Sequence, residues 1–341
     1  MSENLRDYTS LRLGGPARNF IHAKSEAEII EAVRSADESG EPILIIGGGS
    51  NVLIGDEGFD GTVIRVESTG NSFQFDACSG GMISVAAGES WDGFVSETIE
   101  RGFAGLETLS GIPGTVGASP IQNIGAYGHE VSEFIARVRT YDREAKALKT
   151  FSHSECNFSY RNSIFKESKG RYVVLEVTFQ IRRGEMSDPI TYAELAKYLG
   201  VEVGAKAFVT DVRKAVLALR GSKGMVLDSK DRDTWSAGSF FVNPIVSAEV
   251  AASLPSDAPR WPQPDGRIKT SAAWLMERAG ISKGSTHNGA AVSTKHVLAL
   301  TNTGDATSAD MVDLARRARK AVEEKFGITL EPEVRFVGCD L

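Results

Sequence analysis

Val173, Leu175, Val177, Phe179 and Ile181 alternate along the chain as the apolar side of a half-buried antiparallel strand would. Elsewhere the period changes. Ile29, Ile30 and Val33 follow Ser25 and Glu28, a capping box that predicts an amphipathic helix, with Gly40 standing where the helix should stop. Ile43 to Ile46 is an apolar strand that breaks into Gly47, Gly48, Gly49, Ser50 and Asn51, and Thr62 to Val66 reads as the next strand. This opening segment is a small α/β unit. From about residue 70 short strands take over, among them Ile83 to Ala87 and Arg137 to Tyr141, together with a glycine-dense stretch from Ser110 to Gly128. Val212 to Leu219 reads as a helix closed by the breaker GSKG. The last third holds a proline-rich loop through Pro262 and Pro264, a helix from Ser271 to about Arg278, and a second helix carrying Met311, Ala315, Ala318 and Val322 before Gly327. Glu333 to Gly338 then reads as a terminal strand, which is expected to return to the first domain. No internal repeat or low-complexity tract interrupts the pattern.

Composition narrows the classes. At 341 residues the chain is long enough for two to three domains. Hydrophobic residues make up 41% and charged residues 24%, the balance of an ordinary soluble globular protein. Lys and Arg number 38 against 45 Asp and Glu, a net charge of −7 with no basic block. General nucleic-acid binding is not expected, and any anionic ligand must meet a local positive site. Cys78, Cys156 and Cys339 are scattered without a CxxC pair, so neither a disulfide framework nor a cysteine zinc site is expected, and a cytoplasmic compartment fits. The N-terminus lacks the basic start and apolar core of a signal peptide, and no apolar run is long enough to span a membrane.

No GxxxxGK[ST], HExxH, GxSxG or EF-hand signature is present. His22, His129, His153, His287 and His296 lack metal-ligand spacing, and no metal site is expected. What remains is the pair of glycine-rich segments. Glycines directly after a strand let successive backbone N–H groups point into one concavity that holds a phosphate, although a tight turn wants glycine equally. Two such segments, Gly47–Asn51 and Gly111–Gly128, suit a long ligand with a pyrophosphate in its middle. Asn51, Gln122 and Asn123 offer amides for phosphate or a flat heterocycle, or else satisfy turn backbone; Gln122 and Asn123, between Ile121 and Ile124, are expected to be buried with a purpose.

IIGGGSNVL, TLSGIPGTVGASPIQNIGAYG, FSYRNSIFK, SAGSFFVNP, AAWLMERAGISKG and LEPEVRFVG, in that order over nearly the whole chain, resemble the UDP-N-acetylenolpyruvoylglucosamine reductase (MurB) family. The resemblance implies an α+β fold of the vanillyl-alcohol-oxidase (PCMH-type) flavoprotein kind. Two FAD-binding domains, 1–68 (joined by the strand 328–341) and 69–220, would precede a substrate-binding α+β domain at 221–327. It implies that NADPH reduces FAD and that hydride then passes to the enolpyruvyl group of UDP-N-acetylglucosamine enolpyruvate, giving UDP-N-acetylmuramate for peptidoglycan. A monomer acting on small molecules, with no nucleic-acid or membrane partner, is implied as well.

The implied cofactor contacts are Gly47, Gly48, Gly49, Ser50, Asn51, Pro113, Gly114, Thr115, Gly117, Ala118, Gln122, Asn123, Gly125, Ala126 and Tyr127. Hydride is nucleophilic, so the double bond must be made electron-poor through its carboxylate and the resulting enolate protonated. Arg161 matches the family arginine on that carboxylate, where a guanidinium fork suits a planar anion; read alone it is a surface arginine beside a turn. Ser239 matches the proton donor, and read alone is a turn or cap serine. Glu333 matches the carboxylate that assists, its alternative being a strand residue paired with Arg335. Tyr192 resembles the tyrosine that closes over the diphosphate in the subgroup with a substrate-covering segment, and Tyr160, Lys223, Asn243, Trp261 and Lys283 fall in the matching substrate stretches. Trp261 stands where a tyrosine is common, Gly224 to Asp233 is longer than in some members, and His296 replaces a frequent glutamine. Two other functions remain at this stage: an FAD-dependent sugar or hydroxy-acid oxidase of the same fold, and a flavin- or nucleotide-sugar-binding protein without turnover.

Overall fold

The computed structural model describes residues 3–76 and 80–341, with Phe75 and Asp76 by backbone only. Cys78 lies outside the described residues. The chain divides into two compact units. One comprises residues 1–3, 17–48 and 60–222; the other comprises 4–16, 49–59 and 223–341.

In the first unit, helix α1 (Glu26–Ser39) lies between the strands Ala17–Ala23 and Ile43–Ile46. Ser25 Oγ accepts from Glu28 N at 3.2 Å, and Gly40 ends the helix at φ 70°. The capping box is only half made, because the Glu28 carboxylate turns to the N–H of Lys24 (2.8 Å), one residue before the cap. Ile43–Ile46 runs parallel to the strand Phe59–Val66, which also pairs with Ala17–Ala23. The larger sheet is antiparallel, in the order 147–152, 135–142, 172–183, 80–86, 71–76, and Phe103–Ala104 pairs with the end of 172–183. The strand Tyr172–Arg183 buries Val173, Leu175, Val177, Phe179 and Ile181 as the alternation predicts. It is more than half-buried, since Val174 and Thr178 on its other face are also covered.

Helix α2 (Trp91–Glu100) packs Trp91 and Phe94 against Phe179. The buried indole is satisfied by the carbonyl of Leu109 at 3.0 Å, so about 1.5–3 kcal/mol of apolar burial carries no unpaired-donor cost. The single turn α3 (Ile164–Glu167) follows the Arg161 segment. Helices α4 (Ala193–Leu199) and α5 (Val209–Ser222) share a satellite core of Ile190, Leu195, Ala196, Val212, Ala215, Val216 and Leu219.

The second unit contains α6 (Ala248–Ser253), α7 (Ala272–Arg278) and α8 (Ser308–Phe326). Thr307 and Asp310 form a full capping box at the head of α8, and Gly327 ends it at φ 65°. Met311, Ala315, Ala318 and Val322 are all buried against Leu275, Met276, Phe240 and Phe241. The proline-rich stretch is not all loop: Arg260–Pro262 pairs with Ile268–Thr270 in a three-stranded sheet, and Thr286–His287, Ala290–Val292 and Leu300–Asn302 form another. These strands of two or three residues are too short to show a period. The terminal strand is Arg335–Val337, shorter than predicted, and runs parallel to Val52–Ile54 within this same unit.

Candidate active site

The two glycine segments meet in the first unit. A Cβ on Gly47 would stand 2.3 Å from Thr115 Oγ1, and one on Gly48 would stand 2.8 Å from Gly114 Cα. The Gly48 and Gly114 backbones approach this closely because neither carries a side chain, whereas Gly47 makes room for the Thr115 side chain. The second segment is held against the head of α2: Trp91 N donates to Gly114 O (3.1 Å), Ser90 bridges Thr115, and Gly117 N donates to Ala87 O (2.8 Å). Gly117 also has no room for a Cβ, which would meet that of Ala87 at 2.5 Å. Pro113 is half-buried and Ala118 exposed on the rim of this loop. Glycine-walled backbone, in which an added Cβ at Gly47, Gly48 or Gly117 would collide, is a cradle that fits a flavin dinucleotide.

Farther along the segment, Asn123 is buried at φ 48°. Its Nδ2 donates to Glu130 Oε2 (2.7 Å) and Ser159 O (3.1 Å), and its Oδ1 accepts from Ser132 N (3.1 Å). This amide therefore locks the loop. Gln122 is half-buried, while Ile121 beside it is exposed instead of flanking a buried amide. Gly125–Ala126 folds back on His129–Glu130 through Tyr127 (φ 52°) and Gly128 (φ 92°). Arg161, itself at φ 54°, donates from Nη1 to Asn123 O (3.3 Å) and from Nη2 to Gly125 O (2.9 Å), with its guanidinium 5.2 Å from the Tyr160 ring centroid. The structure thus brings Arg161, Tyr160, Asn123 and Gly125 together.

Tyr192, the residue before α4, is 43% exposed and meets Tyr127 edge-on with ring centroids 5.3 Å apart. Burial pushes the Tyr127 hydroxyl up to about 12, against the opposing pull of Arg220. Asp92, Arg213 and Arg220 line the same region and were not singled out by the sequence pattern. Their one signal is that Arg213 and Arg220 lie two helical turns apart on α5.

Ser239 and Glu333 lie together in the second unit. Glu333 N donates to Phe240 O (2.8 Å), Val242 N to Glu331 O (3.0 Å), and Phe241 bridges Pro332. This antiparallel contact puts Ser239 one residue from the position opposite Glu333, and both are half-buried. Asn51 joins them: its Nδ2 donates to Glu333 O (3.1 Å) and its carbonyl accepts from Arg335 N (3.1 Å). Gly49, at φ 61°, accepts from Ser10 N (3.0 Å), and Ser50 is half-buried between them. The boundary between the units therefore falls inside the first glycine run, after Gly48.

Asn243 caps α7 through its Oδ1, which accepts from Ala272 N (2.9 Å). Trp261 is exposed on its strand with Lys269 Nζ 6.0 Å from the ring centroid, Lys283 is exposed, and Lys223 is half-buried. The long segment before Asp233 is anchored: Asp233 accepts from Ser293 Oγ (3.1 Å), Thr294 N (3.0 Å) and Thr294 Oγ1 (2.9 Å), and Asp231 pairs with Lys295 (2.5 Å) next to His296. Among the described residues no group of three His, Cys, Asp or Glu side chains is placed to hold a metal ion, and no helix is long and apolar enough to cross a membrane.

Comparison with known proteins fits this geometry. Residues 17–150 match the FAD binding domain family, and residues 229–337 match the family described as UDP-N-acetylenolpyruvoylglucosamine reductase, C-terminal domain. The chain is 53% identical over 340 residues to a UDP-N-acetylenolpyruvoylglucosamine reductase of Cutibacterium acnes, covering 99% of this chain and 90% of that one. It is 51% identical to one of Thermobifida fusca, covering 99% and 97%. The crystal structure of the reductase from Thermus caldophilus superposes with a TM-score of 0.67 at 25% identity, covering 99% and 98%. The α+β class and FAD-binding fold expected from the sequence are those of the protein. With relatives this similar over nearly its whole length, the chain belongs to the UDP-N-acetylenolpyruvoylglucosamine reductase family.

Proposed function

We propose that this protein is the FAD-dependent, NADPH-consuming reductase that converts UDP-N-acetylglucosamine enolpyruvate to UDP-N-acetylmuramate in peptidoglycan precursor synthesis. The observation that carries this reading is the presence, in one chain, of an FAD binding domain and the family's own C-terminal domain, with half of all residues shared end to end with named reductases. An oxidase would need a base at a substrate hydroxyl, whereas Ser239 and Glu333 suit proton delivery to carbon.

The residues that would hold FAD are Gly47 to Asn51, Pro113 to Thr115, Gly117, Ala118, Gln122, Asn123 and Gly125 to Tyr127. The chemistry that FAD would supply when bound there is hydride transfer from NADPH to the enolpyruvyl double bond. Arg161 binds the substrate carboxylate and draws electron density from that double bond. Ser239 donates its hydroxyl proton to the neighbouring carbon, so hydride and proton together saturate the bond, and Glu333 holds the serine for that transfer. Tyr160, Tyr192, Lys223, Asn243, Trp261 and Lys283 bind the UDP sugar, the lysines supplying the positive charge that an acidic protein must concentrate locally. Residues 1–68 with 328–341, 69–220 and 221–327 serve as first FAD-binding, second FAD-binding and substrate-binding domains. The enzyme works in the cytoplasm as a monomer.

Ser239→Ala is the test. NADPH should bleach the flavin at the parental rate, and reoxidation by the enolpyruvyl substrate should slow by about 10²–10⁴-fold, the range for loss of a general acid. Reoxidation at the parental rate rejects the serine, and a parental protein that does not consume NADPH with this substrate rejects the function.

A further inference from the structure

Asp92, in the first turn of α2, gathers three donors. Its Oδ1 accepts from Gly111 N (2.6 Å) and Arg213 Nη1 (2.7 Å), and its Oδ2 accepts from Arg213 Nη2 (2.9 Å). The carboxylate thus ties the first glycine of the long segment to α5 through a two-pronged pair, a geometry that fixes distance and orientation together. Two turns along α5, the Arg220 side chain is attracted to the Asp92 carboxylate, and the Tyr127 ring packs against the apolar face that α5 shares with α4. Helix α5 therefore lies along the glycine-dense segment, pinned near Gly111 and near Tyr127.

The apolar face of α5 carries the consequence onward. Val212, Ala215, Val216 and Leu219 pack with Leu195 and Ala196 of α4, and Tyr127 leans on the same cluster. Tyr192 immediately precedes α4, its carbonyl accepts from Ala196 N (3.0 Å), and its ring meets Tyr127. A shift of α5 along the loop would move α4, and with it Tyr192.

We infer that Asp92 is a positioning residue for substrate binding: by clamping Arg213 to Gly111 it sets the register of α5 and so places Tyr192 over the UDP sugar. This rests on the reading of Tyr192 as a substrate residue. Partial burial pushes the Asp92 carboxyl upward, but the Arg213 and Gly111 donors outweigh it and hold the group below the usual range, so the clamp stays closed at neutral pH. Asn at position 92 offers one acceptor in place of two and turns an amide N–H₂ toward the guanidinium, which opens the clamp.

Asp92→Asn should raise KM for UDP-N-acetylglucosamine enolpyruvate about tenfold with kcat held within about twofold, the signature of lost uniform binding. The flavin's visible spectrum should not change. In a Tyr192→Ala background the same substitution should leave KM unmoved, because residues acting through one path are non-additive. A merely structural ion pair would raise KM equally in both backgrounds, and that result, or a KM unchanged by Asp92→Asn alone, overturns the inference. Should Asp92→Asn not fold, Arg213→Lys, which keeps the charge but loses one prong, serves in both backgrounds and is judged on the same terms. A parental protein without turnover of this substrate removes the underlying reading instead.

Discussion

Arg161 holds two loop carbonyls with two nitrogens of one planar group, from a backbone at φ 54°. A lysine carries the same charge but a single donor head, so it cannot reach Asn123 O and Gly125 O together and still face a carboxylate. Arg161→Lys should therefore lower the rate of flavin reoxidation by substrate by about 10²-fold, read by stopped-flow absorbance, in line with loss of one preorganised donor to developing charge. An unchanged rate would remove Arg161 from the reaction. His129 Nδ1 lies 2.7 Å from Glu133 Oε2, and this bond raises the histidine's pKa above the ordinary 6.5 although burial opposes it. Burial likewise pushes Glu133 up, but His129 and the Glu130 N–H bring it below 4.5. The histidine's contribution is full below 6.5 and lost as pH rises through its raised value; the glutamate's is present above 4.5 and lost as pH falls. The pair accordingly stabilises between those limits. Glu133→Gln should lower the melting temperature at pH 6 and have less effect at pH 9. Because the Glu133 side chain is 44% exposed, screening should hold the cost at pH 6 to about 0.5 kcal/mol. An equal loss at both pH values would contradict the pairing.

Elements turn on how closely backbones approach. Gly48 faces the Cα of Gly114, whereas Gly47 faces the end of the Thr115 side chain. Only the second neighbour can be trimmed. Gly48→Ala should part the two loops and yield colourless protein after purification. Gly47→Ala should lose flavin too but regain it with Thr115→Ala, which removes the Oγ1 that stands 2.3 Å from the added Cβ. Yellow Gly48→Ala protein with undiminished flavin content would mean that these loops do not hold the cofactor. Helices α1, α7 and α8 were legible beforehand because caps and period agreed: Ser25 with Gly40, Ser271, and the buried face of α8 through Gly327; α2, α3, α4 and α6, of ten residues or fewer, were not read from the pattern. The two small sheets of the C-terminal unit were not, since strands such as Ile245–Val246 and Ile268–Thr270 hold too few residues to carry an alternation.

Among the described residues of the molecule, two large cores stand out. One runs from Ala23 to Ile181, and the other joins Leu11, Leu13 and Leu53 to residues beyond Phe240. A ligand that binds only the folded chain stabilises it by mass action, by about 2.7 kcal/mol when present at one hundred times its Kd. Stripping the flavin should thus lower the melting temperature by several degrees, and added FAD should restore it, as followed by calorimetry. A melting temperature indifferent to FAD would show that the dinucleotide is not bound by the native state.

Local signals settled much of this protein from the sequence alone: that α1, α5, α7 and α8 are helical, where glycine ends α1 and α8, where glycine permits a tight turn, and the ordered motifs that place the chain in its family. These depend on neighbours within a few positions. Tertiary structure decided the rest. That Asn51 serves the backbone of Glu333, that Arg161 grips Asn123 and Gly125, and that Asp92 unites Gly111 with Arg213 are pairings across 282, at most 38 and at most 121 positions. No periodicity spans such separations, because the partners are chosen by whichever polar groups the packed cores leave facing each other.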